Sequence, residues 1–251
     1  MKQQIIPLLA FIKFEYKNYF RQHRYLRDLV AIVIFIIMFE AFLTSEQITD
    51  NIWLVFAVFA LILNLLTAPS VFFLEKGNTL HFLLSKPNGR RNLLLSKILL
   101  IVMIDLLWVT LFACIYGLRF LSLQFFLSMP LKLLLVGILL LLSTLLLSLV
   151  YTYKPQLSWL IMIVLIFGYI LPKGKLFPLK SFVEVYKVLA LLLPPFTEIT
   201  DLMVSIGIIY WRPGFLEMGW SSQLLFLLLA IIQILLLGIL SYRLVARKDM
   251  V

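Results

Sequence analysis

Six long apolar runs separated by charge constrain this chain more tightly than any motif it carries. A helix needs about 20 mostly apolar residues to cross a hydrocarbon core about 30 Å thick. Runs at 29–43, 52–74, 93–116, 131–151, 157–171 and 223–245 approach or exceed that length. The first and fifth are short and draw on flanking residues such as Tyr25, Leu26 or Tyr153 to complete a span. Lipid offers backbone groups no hydrogen bonds, so runs this long and continuous read as helices. The expected fold class is an all-α polytopic membrane protein with six transmembrane helices in a single domain over 1–251. With 63% hydrophobic and 14% charged residues, lipid rather than water must solvate most of the surface.

Charge sets the expected orientation. The net charge is +10, and the basic residues lie beside the apolar runs, so anionic lipid headgroups rather than nucleic acid are the expected counter-charge. A cytoplasmic N-terminus with six spans returns the C-terminus to the cytoplasm and puts 15 of the 22 Lys and Arg on that side, as the positive-inside rule asks. Lys173, Lys175, Lys180 and Lys187 dissent, because they fall in a segment, 172–222, that this topology leaves outside. That segment is apolar but interrupted by Pro194-Pro195, Glu198 and Asp201. A full span there would make seven crossings; short re-entrant or outer helices before the last span fit the interruptions better. The first run is preceded by six basic residues and ends without a small-residue cleavage pattern, so it is expected to be retained.

Residues 1–27 carry a second signal. Lys13, Lys17, Arg21 and Arg24 recur at i, i+4, i+8 and i+11, while Leu8, Phe11, Ile12, Tyr19 and Phe20 lie mostly on other faces. Such a helix is expected to lie in the membrane interface with its cations toward lipid phosphate. Between the second and third runs, Asn78 or Thr79 can cap a short helix on which Leu80, Leu83 and Leu84 share a face, and Pro87-Asn88-Gly89 turns the chain into the next span.

That loop, 75–92, resembles the inner loop of type-2 ATP-binding-cassette (ABC-2) transporter permeases. In those, an E-(K/R)-x-x-G-T-L-E-x-L-L-x-x-P-x-S-R-x-E-L-L-x-x-K pattern joins the second and third spans. Glu75, Thr79, Leu80, Leu83, Leu84, Pro87, Arg90, Leu93, Leu94 and Lys97 match; Asn78 and His81 stand where the family has glycine and glutamate. The resemblance implies that this chain pairs with a second permease copy or a paralogue. It also implies an exporter driven by separate cytoplasmic ATPase subunits that hold ATP and Mg, with the loop helix as their contact. The haem-exporter permeases of cytochrome maturation are similar in length and span count. In keeping with it, the chain has no G-x-x-x-x-G-K-(S/T) phosphate-cradling loop, and no cofactor is expected in the chain itself.

Asp105, about a dozen residues into the third run, is the clearest ionisable group at membrane depth. It should face a partner helix or cavity, with Ser143 or Thr144 as candidate partners and a substrate or proton role as the alternative. Glu40 reads as a boundary residue, and Asn64, Thr67 and Gln233 as interhelical hydrogen-bonding groups. Trp53, Trp211 and Trp220 read as interface markers. His23 and His81 are isolated, the one cysteine is Cys114, and neither supports a metal site. No H-x-x-x-x-D, G-x-S-x-G or paired-aspartate arrangement points to a catalytic residue, the runs holding only Glu40 and Asp105 as acids. An ion-coupled secondary transporter would normally show internal repeats and broken spans in corresponding halves; neither stands out.

Overall fold

The computed structural model describes residues 2–43, 51–73, 83, 85, 88–170, 192–209 and 220–247. Among them every regular element is a helix. These are α1 (Lys2–Arg21), α2 (Leu26–Leu43), α3 (Ile52–Phe72), α4 (Gly89–Phe120), α5 (Leu123–Tyr153), α6 (Ser158–Ile170), α7 (Phe196–Ile209) and α8 (Trp220–Arg247), with a short 3-10 turn, Pro155–Leu157, ahead of α6.

Four stretches are long and apolar enough to cross a membrane: Ile52–Phe72, Gly89–Phe120, Leu123–Thr152 and Leu224–Val245. Two shorter apolar stretches, Asp28–Ile37 and Trp159–Gly168, coincide with the two short runs of the sequence. At 1.5 Å per residue the 32 residues of α4 extend about 48 Å, so its ends stand clear of the hydrocarbon core. By the same measure the 14 residues of α7 reach only about 21 Å, less than a crossing.

The connections follow local chemistry. His23 takes a left-handed backbone (φ 52°) in the turn from α1 to α2, and Asn88 does the same (φ 55°) at the start of α4, a conformation asparagine tolerates well. Leu121 (φ 47°) ends α4 and sends its N–H back to the Leu118 carbonyl. Ser122 then opens α5 by accepting from the Phe125 N–H at 3.3 Å. Gly117 makes this hairpin close: a Cβ there would come within 2.7 Å of the Phe126 ring and 2.9 Å of Phe125. At the other end of α3, Pro69 removes an N–H from the last turn, and Lys97 Nζ caps the exposed Phe72 carbonyl at 2.9 Å.

α3 is the central post and packs against α2, α4, α5 and α7. α8 lies at the edge against α5 and α4, with its outer face of Leu225, Leu228, Leu235 and Leu236 about 60% exposed. α1 runs along α4 and returns the chain beside α3 through α2. At the end of the bundle away from α1, Phe35, Phe39, Phe56, Phe59, Phe112 and Tyr116 form one cluster of touching rings. Each such pair is worth roughly 0.5–1.5 kcal/mol beyond its buried area, so the cluster fixes how α2, α3 and α4 pack.

Trp53, in the first turn of α3, faces protein. It is fully buried, stacked on Phe125 at 5.5 Å, with the buried Lys132 ammonium 5.3 Å from its ring centroid. A ring face offered to a desolvated cation explains why this indole turns inward. Trp211 and the Trp220 side chain lie outside the described residues.

Candidate functional site

Two groups of residues could carry function, and both involve α1. The first lies where α1, α4 and the loop between α3 and α4 converge. Phe11 of α1, Leu83 of the loop and Leu93 of α4 are buried against one another. Of the loop residues singled out by pattern, Glu75, Thr79, Leu80, Leu84 and Pro87 lie outside the described residues. Leu83 is buried, Ser85 is exposed and Arg90 is half-buried in the first turn of α4. Arg91 beside it stacks its guanidinium over the Tyr242 ring of α8 at 4.2 Å, tying the start of α4 to the end of the chain.

On α1 the basic face is where its period places it. Lys13, Lys17 and Arg21 are exposed, and Arg24 is half-buried in the turn that follows. Their opposite face carries Phe11, Glu15, Asn18 and Tyr19, all buried. Arg21 donates to Asn18 Oδ1 at 3.0 Å, so the cation is held at the edge of this face. The exposed cations leave one side of α1 open to anionic headgroups while the other side is fixed to protein.

The second group is a polar layer inside the bundle. Asp105 on α4 is fully buried. It does not bond Ser143 or Thr144 directly, because Asn64 of α3 stands between them. The Asn64 amide donates to Asp105 Oδ2 and to Thr144 Oγ1, both at 2.8 Å, and its carbonyl accepts from Ser143 Oγ at 2.9 Å. One side chain therefore ties α3 to α4 and α5 at a single depth. Three residues along α3, on the same face, Thr67 stands 3.5 Å from Asp28 Oδ1.

Asp28 is a second buried acid in this layer, beside Asp105. It begins α2 and is 1% exposed. Tyr19 of α1 donates to its Oδ2 at 2.6 Å, and Trp108 of α4 lies beside it. Burial and then the Asp28 carboxylate push the Tyr19 phenol far above its usual range, so Tyr19 keeps its proton and serves as a donor. Asp28 sits one residue before the first apolar run, and its hydrogen bond comes from Tyr19, one helix away. Glu40, by contrast, is exposed at the far end of α2, as a boundary residue should be. Gln233 of α8 reaches the Leu193 carbonyl at 3.4 Å, and Cys114 is half-buried within α4.

Among the described residues no group of three or more His, Cys, Asp and Glu is assembled to hold a metal ion. The His23 ring meets the Tyr25 hydroxyl at 3.3 Å and lies edge-on to that ring; His81 lies outside the described residues.

A helical bundle with apolar outer faces and with its amide, hydroxyl and carboxyl groups turned inward is built for lipid, and the chain is a membrane-embedded helical protein. No family model, no curated protein and no solved structure matches it.

Proposed function

We propose that the chain is the membrane-spanning permease subunit of an ATP-binding-cassette exporter. It crosses the cytoplasmic membrane six times with both termini in the cytoplasm, works as a pair with a second copy or a paralogue, and draws energy from separate ATPase subunits. The observation that carries this reading is the contact of Leu83 with Phe11 and Leu93. Leu83, from the loop that resembles an ATPase-contact loop, is buried between the amphipathic helix and a spanning helix. A push on the loop therefore moves both α1 and α4. The basic surface of α1 and the cations at the start of α4, Arg90 and Arg91, belong to the same end of the bundle. That distribution supports a cytoplasmic placement. α7, too short to cross and preceded by Leu193-Pro194-Pro195, supports a short outer helix before the last span.

The test is paired. With Leu83→Asp and Leu84→Asp together, the ATPase no longer co-purifies while the permease still inserts in the membrane. With Leu83→Ala, which only loosens the wedge, the ATPase stays bound and ATP-driven transport falls several-fold. Transport by the purified chain without nucleotide would overturn the proposal and favour an ion-coupled carrier.

A further inference from the structure

Two carboxyls lie inside the bundle in one polar layer, and among the described residues no Lys or Arg forms an ion pair with either. The groups that face them are Tyr19 from α1, Asn64, Thr67 and Ser70 from α3, Trp108 from α4, and Ser143 and Thr144, which reach Asp105 through Asn64, from α5. None of these carries a charge at neutral pH other than the two aspartates themselves.

The donors can be followed one by one. Tyr19 serves Asp28 Oδ2 at 2.6 Å. Asn64 has two amide protons and uses one on Asp105 Oδ2 and the other on Thr144. Ser143 gives its proton to Asn64 Oδ1 at 2.9 Å or to the Leu140 carbonyl at 3.0 Å. Thr67 directs its single proton to the Leu63 carbonyl at 2.9 Å. The same hydroxyl lies 3.5 Å from Asp28 Oδ1, toward which it can donate only as a weak second bond. Among the described residues, Asp105 Oδ1, on a side chain with no exposed surface, has no hydrogen-bond donor. An ionised oxygen left this way is among the costliest groups a membrane interior can hold.

We propose that Asp105 is a proton-binding site: in the folded bundle its Oδ1 carries an exchangeable proton, while Oδ2 continues to accept from Asn64. One proton removes the uncompensated charge from a carboxyl whose Oδ1 no donor serves. Asp28, with its own donor from Tyr19, remains the acceptor carboxyl nearer to α1. A metal or alkali cation fits less well. Hard cations take six or so oxygens, and among the described residues of this layer only one carboxylate oxygen is without a hydrogen bond. The inference is independent of whether nucleotide drives the bundle.

Infrared spectroscopy of the full chain in lipid nanodiscs tests it. A protonated carboxyl band is expected at neutral pH, and it should shift in deuterium oxide. Asp105→Asn, isosteric with the protonated acid and able to keep the Asn64 bond, should abolish the band, and Asp28→Asn should leave it. The same spectrum is expected in sodium and in choline buffer. Absence of the band in the unaltered protein, its survival in Asp105→Asn, its loss in Asp28→Asn, or its appearance only without sodium each overturns the proposal. The first measurement requires no variant to fold.

Discussion

Asn64 joins three helices with one amide, and its importance comes from what it leaves behind when removed. In membrane proteins a single interhelical hydrogen bond averages about 0.6 kcal/mol. An unsatisfied buried acceptor costs about 1–3 kcal/mol. The second effect outweighs the first, so Asn64→Leu should cost roughly 1–3 kcal/mol by stranding Asp105 Oδ2. Thr144 escapes, since a hydroxyl can turn to its own helix. The fraction unfolded in a mixed-micelle denaturation series measures this. A double-mutant cycle of Asn64→Leu with Ser143→Ala should show non-additivity, since the two share one bond at 2.9 Å. Additive losses would mean the amide contributes by volume alone.

At the scale of elements, the α4–α5 hairpin depends on close approach. Gly117 faces the Phe125 and Phe126 rings where a methyl group has no room. Gly117→Ala should therefore destabilise the hairpin by about 1–3 kcal/mol, the usual cost of overpacking, even though alanine is the better helix former by about 1 kcal/mol. A fall in the thermal unfolding midpoint checks the sign; a rise would show that the rings move aside. α1 is fixed by two contacts of different kinds, the Phe11 wedge near its middle and the Tyr19 bond to Asp28 near its end. Tyr19→Phe keeps the ring and loses a bond to a charged acceptor worth about 1.5–3 kcal/mol. Protease cleavage in the turn after α1 should become faster in that variant, and an unchanged cleavage rate would place the anchor in packing instead.

For the whole molecule, the charge distribution makes a topological prediction. With Cys114→Ser as background, Arg21→Cys and Arg243→Cys should be shielded from an impermeant thiol reagent in intact cells, while Arg119→Cys, at the opposite end of α4, should react. Labelling of Arg21→Cys but not Arg119→Cys would invert the proposed orientation. The apolar runs were sufficient to foresee a helical membrane protein, since length and hydropathy are properties of a segment taken alone. They also placed the helices of runs 93–116 and 131–151 inside α4 and α5, whose ends continue well past the apolar stretch. The basic face of α1 and the left-handed Asn88 turn were legible for the same local reason. Inward and outward faces were not, because lipid and protein core both select leucine and phenylalanine, and α3 is apolar on every side although it sits at the centre. Asp105 and Asn64 stood out in the sequence as polar residues at membrane depth. That an amide from α3 would come between Asp105 and its expected hydroxyl partners, and that Asp28 would be drawn inside by a tyrosine from α1, depended on which helices became neighbours. Only tertiary packing decides that, because hydrogen-bond partners on different helices, 9 to 80 residues apart, leave no mark on local pattern.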